Sequence, residues 1–218
     1  PRYARSFQHW HENLRDWCIS RQLWGGHRIP VWSRVVKFSE AGTPPEDLGN
    51  GMTDQIAWCQ APFCDRTEEG LSIRLQIDRD NEEVRVLACV GRNSNAIEEA
   101  LEAAGFTQDE DVLDTWFSSA LWPISTMGWP EPSIFPETEG LLEAFNPSST
   151  LSTAREIITL WVSRMVMFNR FFRDGRLPFR DVYIHPIIQD GFGQKMSKSL
   201  GNGVDPRDII ESHGTDAL

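Results

Sequence analysis

No stretch of the 218-residue sequence approaches the roughly 18 consecutive apolar residues of a membrane-spanning helix, and its N-terminus lacks a basic-then-apolar signal pattern. A cytoplasmic protein is expected. Cysteine is scarce: Cys18, Cys59, Cys64 and Cys89 are too few and too irregularly spaced for a disulfide framework in a chain of this size. Reduced thiols are therefore expected. Positive charge is also short, with 21 Lys and Arg against 32 Asp and Glu for a net charge of -11. That balance repels a phosphate backbone unless the basic residues cluster, so the piece by itself should bind RNA weakly. Internal repeats and low-complexity tracts are absent.

What is there suffices for a core. With 40% hydrophobic side chains, the length suits one large domain or a medium domain with an insert. Phe7, Trp10, Leu14 and Trp17 recur at helical intervals and predict a docking helix. From Trp17 to Trp32 aromatics, glycine and arginine crowd together without a helical period, which predicts strand and loop lining a pocket. The character changes over 33–109, beginning with a Gly/Pro-rich linker at Gly42–Gly51. There Leu71, Ile73, Leu75 and Ile77 alternate, as do Val84, Val86, Ala88 and Val90, with a charged turn between: a half-buried hairpin. A short helix follows, with Asn95 as N-cap, Glu98 in the capping-box position and Gly105 as its stop.

The remainder, 110–218, alternates helix and strand, as a parallel sheet with crossover helices does. Thr153 and Glu156 read as a capping box for a long helix whose stripe is Ile157, Trp161, Met165, Phe168 and Phe172, widened by Leu160 and Phe171 and ended at Gly175. Val182–Ile188 reads as a strand, Asp190–Gly203 as a Gly-rich loop, and Asp205-Pro206 as the opening of another helix. The sequence opens inside an amphipathic segment and stops just after a helix start at Thr215, so an excised piece is expected.

One segment carries overt chemistry. Gly193-Gln194-Lys195-Met196-Ser197-Lys198-Ser199-Leu200-Gly201-Asn202 sets two lysines and two hydroxyls between glycines directly after a predicted strand. Glycines let a backbone approach phosphate, hydroxyls and amides donate to it, and two ammonium groups can neutralise charge growing on a leaving pyrophosphate. A lysine is a compact charge on a flexible stem, so a mobile loop can bring it in during the reaction.

Lys195–Ser199 is letter for letter the KMSKS signature, and the sequence thereby resembles the class I aminoacyl-tRNA synthetases. Asp16–Trp32 (DWCISRQLWGGHRIPVW), Asp111–Pro130 (DVLDTWFSSALWPISTMGWP) and Ile157–Met167 resemble the valyl branch of that family; with the KMSKS region they cover about half the chain. The resemblance implies an α/β fold, the second half of a Rossmann-like nucleotide-binding domain with a small α+β insert, since no HIGH-like motif is present. It divides the chain into 1–32, the start of that half; 33–109, the inserted lobe; and 110–218, the Rossmann-like half with the KMSKS loop. The activity implied is ligation of valine to tRNA(Val) through valyl-adenylate, with ATP and accompanying Mg²⁺. Isoleucyl or leucyl specificity, or a half-domain inactive alone, are the alternatives.

By the same resemblance Lys195 and Lys198 are the catalytic residues, holding the β- and γ-phosphates, with Ser197 and Met196 completing the ATP loop. Trp116 and Val112 fall at the amino-acid pocket. Valyl enzymes usually carry two adjacent tryptophans where this sequence has Trp24-Gly25-Gly26, so the pocket is either larger or closed by Trp24 from a shifted position. Glu156 stands where the family often receives the adenosine ribose; the alternative is that it only closes the capping box with Thr153. His27 and His185 could approach ATP or serve packing. Cys59 and Cys64 suggest zinc, but with only Cys89 nearby and no histidine in the insert a four-ligand site is incomplete, and free thiols are expected.

Overall fold

A computed structural model describes residues 2–44, 70–91 and 95–217, excepting the side chain of Arg2. The chain folds as two compact units, Cys18–Thr115 and Pro1–Trp17 with Trp116–Leu218. None of the described helices is long and apolar enough to cross a membrane.

In the unit Cys18–Thr115, β1 (Ser20–Arg21) pairs antiparallel with β6 (Val112–Leu113). A second, antiparallel sheet has the order β3-β4-β2-β5, from β2 (Val31–Lys37), β3 (Leu71–Asp78), β4 (Glu83–Val90) and β5 (Thr107–Gln108). The hairpin forms in the register the alternation requires, Ile73 opposite Ala88, Leu75 opposite Val86 and Ile77 opposite Val84. Because β4 is central, Val84, Val86, Ala88 and Val90 are all buried, whereas edge strand β3 buries only Ile73 fully. The charged turn is tied by Asp78, whose carboxylate accepts the Asp80 and Asn81 N–H groups and the Asn81 side-chain amide. β2 continues past the expected end of strand character at Trp32 to Lys37; Ser33 and Arg34 interrupt its apolar alternation, and unbroken pairing with β4 from Val31 to Lys37 decides it.

The chain's first helix is α1 (Arg2–Glu12); among the described residues the unit Cys18–Thr115 has the short helices α2 (Phe38–Ala41) and α3 (Asn95–Ala103). Helix α3 lays Ile97 and Leu101 against Trp32 and the β4 valines. It stops where expected. Gly105, at φ +80°, sends its N–H to the Glu102 carbonyl while Phe106 N–H reaches the Leu101 carbonyl, and Phe106 and Leu101 share the core, the hydrogen-bond pattern of a Schellman cap. Asn95 is the first residue of α3; its expected capping role and most of the Gly42–Gly51 linker involve residues outside those described.

The other unit is organised by two parallel strands, β7 (Ser148–Ala154) and β8 (Phe179–His185), paired from Ser148 opposite Phe179 to Ala154 opposite His185. Their connection is one helical path of changing pitch: a 3₁₀ turn at Arg155–Ile157, a π segment at Ile158–Val162, then the α-helix Ser163–Phe172. The expected capping box is corrected by this geometry. Thr153 lies inside β7, buried and opposite Ile184, and no side-chain cap opens the helix. The stripe is corrected too. The π segment fits extra residues into its turn and rotates the face, so the buried row is Ile158, Val162, Met165 and Asn169, while Phe171 is 81% exposed. Strand β8 begins earlier than expected and ends at His185, because Pro186 supplies no N–H to a ladder.

Helix α1 packs Phe7 against the cluster of Leu151, Val162, Met165 and Phe179, and His11 Nε2 lies 3.0 Å from Ser163 Oγ. It ends before Leu14 because the Asn13 amide donates to the His9 carbonyl at 2.8 Å; Trp10 and Leu14 are exposed, and Trp17 lies under the Arg164 guanidinium at 4.2 Å. A reciprocal amide pair closes the core, Asn146 Nδ2 donating to Asn169 Oδ1 at 2.7 Å and Asn169 Nδ2 to Asn146 Oδ1 at 3.2 Å.

Candidate functional site

Because β7 and β8 run parallel and end at the paired residues Ala154 and His185, whatever follows each strand opens on the same side of the pair. After β7 comes Glu156; after β8 comes the Gly-rich loop. Ligand sites of open parallel sheets form at such carboxyl ends. Glu156 Oε1 accepts from Arg155 Nε at 2.8 Å, and its Oε2 is shielded from solvent with no partner among the described residues. The Arg155 hydrogen bond, foremost, holds the Glu156 carboxyl below its usual range, and the positive charge of Lys195 adds to it. Glu156 and Lys195, 39 positions apart in sequence, thus share one electrostatic neighbourhood.

The loop itself is built around two side chains. Asp190 Oδ1 accepts the N–H groups of Phe192 at 2.9 Å and Gln194 at 2.8 Å, and Oδ2 accepts the Asn202 amide at 2.8 Å. Asn202 Oδ1 in turn accepts Ser197 N–H at 2.9 Å, and its Nδ2 lies 3.4 Å from the Lys195 carbonyl. These bonds, Asn202 first, hold the Asp190 carboxyl below its usual range. Gly193, at φ +78°, takes the left-handed conformation that this tight reversal demands. Ser197 Oγ accepts Leu200 N–H at 3.2 Å and lies 3.2 Å from Ser199 Oγ. Lys195 and Lys198 are exposed; Met196 and Ser197 are half-buried. The arrangement offers an anion two mobile ammonium groups on a loop whose backbone is pinned.

The remaining expected residues are spread over both units. In the unit Cys18–Thr115, Val112 is buried in β6 and backs onto Gly26, where an added Cβ would stand 3.0 Å from Val112 Cγ2. Trp24 is fully exposed, so within this unit it closes no wall with Val112; a Cβ added at Gly25 would meet nothing within 4 Å. Asp114, buried, pairs with Arg21 Nε at 3.4 Å, and its N–H donates to the Ile19 carbonyl at 2.7 Å. In the other unit, Trp116 is half-buried in the first turn of the helix Thr115–Ala120. His27 is exposed, its carbonyl accepting Leu113 N–H, and His185 Nδ1 lies 2.9 Å from the Pro186 carbonyl. Cys59 and Cys64 lie outside the described residues, among which no group of three or more His, Cys, Asp or Glu is placed to hold a metal.

Residues 2–50 and 55–218 match the family described as tRNA synthetases class I (I, L, M and V). The chain belongs to the class I aminoacyl-tRNA synthetases. It is 44% identical over its whole length to a valine–tRNA ligase of Rhodopirellula baltica, of which it covers 20%. The corresponding ligase of Prochlorococcus marinus is 42% identical with 19% covered, and that of Lactococcus lactis 43% identical with 18% covered, each again across all of this chain. This synthetase chain therefore spans about a fifth of the length of the relatives it matches. A crystal structure of a ternary LeuRS-tRNA-LeuAMS complex from Agrobacterium radiobacter K84 is similar over 98% of this chain and 26% of that one, at 22% identity and a TM-score of 0.50. The mixed α/β architecture is thus that of a class I synthetase catalytic domain, which is Rossmann-like.

Two organising residues of this synthetase loop escape a reading centred on charge. Asp190 and Asn202 flank the lysines and carry none of the expected phosphate chemistry. The available signal was an Asp followed by Gly-x-Gly, a side chain suited to accept backbone N–H groups of a turn.

Proposed function

We propose that this chain carries the phosphate-handling half of an enzyme that activates valine with ATP to valyl-adenylate and pyrophosphate, then transfers the valyl group to tRNA(Val). The observation that carries the reading is that Glu156 and the Lys195–Ser199 loop follow the paired carboxyl ends of β7 and β8, one after each strand. In this reading 1–32 and 110–218 form the second half of a Rossmann-like domain and 33–109 a lobe inserted into it. The HIGH half, lying outside this chain, supplies the rest of the nucleotide site.

The chemistry asks little covalent help of the protein. A carboxylate oxygen of valine attacks the α-phosphorus, the bond to the bridging oxygen breaks, and pyrophosphate leaves with the electron pair; alignment and charge stabilisation set the rate. Lys195 and Lys198 meet the charge that develops on the β- and γ-phosphates, with Ser197 and the Met196 backbone shaping the loop. Mg²⁺ arrives with the ATP. Glu156 offers its unpartnered Oε2 to the ribose hydroxyls, and Trp116 contributes to the side-chain pocket.

Valine-dependent exchange of pyrophosphate into ATP tests this in the full-length protein carrying the chain, with isoleucine and leucine as competing arms. Exchange with valine alone is expected; exchange driven by isoleucine or leucine instead would reassign the substrate, and exchange with none would end the reading. The chain by itself is expected to give no signal. Replacing Glu156 by Gln should raise KM for ATP roughly 10- to 100-fold, the worth of one hydrogen bond to a charged group. Because the Glu156 carboxyl titrates below its usual range, it stays ionised as pH falls through weak acid, and KM for ATP should stay flat down to about pH 5. A rise near neutral pH would contradict the assignment. Gly25→Trp, at a position where an added Cβ meets nothing within 4 Å, should leave the melting temperature unchanged and lower KM for valine a few-fold by adding apolar pocket surface; a raised KM would place residue 25 away from the pocket.

A further inference from the structure

We propose that Asp190 and Asn202 form a latch that positions Lys195 and Lys198, two positioning residues for the reaction that act through the loop backbone. The inference rests on the phosphate-loop reading above. Among the described residues neither lysine ammonium is fixed by a hydrogen bond or an ion pair, so the two charges stand wherever the backbone at 195 and 198 puts them. Between Gln194 and Asn202 that backbone has one internal main-chain bond, Gly201 N–H to the Ser197 carbonyl at 3.2 Å. An antiparallel bridge to Gln189 holds Lys195 from outside and Ser197 Oγ accepts Leu200 N–H; the further tie is Asn202, which accepts Ser197 N–H midway between the lysines and approaches the Lys195 carbonyl.

Asp190 makes that grip directional. An asparagine amide is a donor at one end and an acceptor at the other. With the Asp190 carboxylate facing Nδ2, Oδ1 must point at Ser197 N–H; turned over, the amide would set donor against donor at Ser197 and acceptor against acceptor at Asp190. The carboxylate completes the clasp by taking Phe192 and Gln194 N–H with its other oxygen, fixing the approach to Lys195. Loop entry and loop exit are thereby joined through one charge-assisted hydrogen bond across 12 positions of sequence.

The polarity of the pair supplies its own test. Asp190→Asn leaves two amides that cannot serve Ser197, Phe192, Gln194 and each other together. Asn202→Asp sets two carboxylates face to face. The reciprocal exchange, Asp190→Asn with Asn202→Asp, restores all but the 3.4 Å approach to the Lys195 carbonyl: the amide at 190 accepts the Phe192 and Gln194 N–H groups and donates across, and the carboxylate at 202 accepts that bond and Ser197 N–H.

In the full-length protein, kcat and KM for ATP are measured by valine-dependent pyrophosphate exchange for both single variants, for Asn202→Ala, and for the exchange. Each single variant is expected to lose about 10- to 100-fold in kcat with KM for ATP moving less than about threefold, because the lysines act on charge present in the transition state. The reciprocal exchange should return kcat to within about fivefold of the parent, and thermal melting should be unchanged throughout because the loop is exposed. Single variants with parental kcat, or losses that the exchange does not recover while melting stays unchanged, overturn the latch. If a single variant melts early, Asn202→Ala, which adds no charge, decides. Lys198→Ala assayed alongside separates the two ideas: no loss there sinks the phosphate-loop reading and the latch with it, whereas loss there with intact latch variants sinks the latch alone.

Discussion

Replacing Lys198 by alanine in the full-length protein should slow valine-dependent pyrophosphate exchange by about 100- to 1000-fold, the usual cost of removing one preorganised group aimed at developing charge. KM for ATP should change little. The ammonium is exposed in the structure, so it contributes little to ground-state binding, and its interaction strengthens only as charge builds on the departing phosphates. Lys198→Arg should recover only part of the rate, since a planar, delocalised fork does not replace a compact point charge. Melting temperature should not move. A Lys198→Ala enzyme whose kcat is intact, or whose loss lies wholly in KM, would contradict a transition-state role.

The largest expected stability effect lies away from the loop. Asn169→Ala should cost about 3 kcal/mol or more, because Asn169 is 1% exposed and its loss strands several groups at once. Asn146, 2% exposed, would lose both halves of its reciprocal pairing, and the Arg176 carbonyl would lose the Asn169 Nδ2 donor now at 2.9 Å. Asn146 would retain one bond, from its Nδ2 to the Pro123 carbonyl at 3.1 Å. Urea denaturation of the protein carrying this chain reads the cost, and a double cycle with Asn146→Ala reads the coupling. The double variant should be less destabilised than the sum of the singles, since removing both partners leaves fewer orphans. Strict additivity would mean that the two amides do not act as a pair.

The hairpin and the helix after it were legible because both are local devices on a one-sided core. Period-two alternation in Leu71–Ile77 and Val84–Val90 predicts pairing and face together, and Gly105 with Phe106 caps its helix by a rule that needs no distant partner. The helix Pro206–His213 was equally readable, with Asp205 accepting Arg207 N–H and Pro206 in the first turn. The long connection between β7 and β8 was read with the right type and the wrong face. Thr153 and Glu156 have capping-box spacing, yet a Thr is also at home in a strand, and pairing of β7 along β8 takes it for the sheet. Once the helix starts later and passes through a π turn, the face turns so that Met165 keeps its buried place while Asn169 comes to the core and Phe171 to solvent.

By itself the sequence determined the family, through a contiguous signature and flanking blocks, together with the hairpin, the local caps and the loop that bears the two lysines. These are properties of neighbouring residues, and short-range geometry carries them. Only the tertiary structure decided that Glu156 and the lysine loop follow paired strand ends, that Asn146 and Asn169 satisfy one another in the core, and that Asp190 clasps Asn202 across the loop. Each of these depends on which carboxyl ends a parallel pair brings to one side or on which way an amide faces, and hydrophobic periodicity carries no information about either.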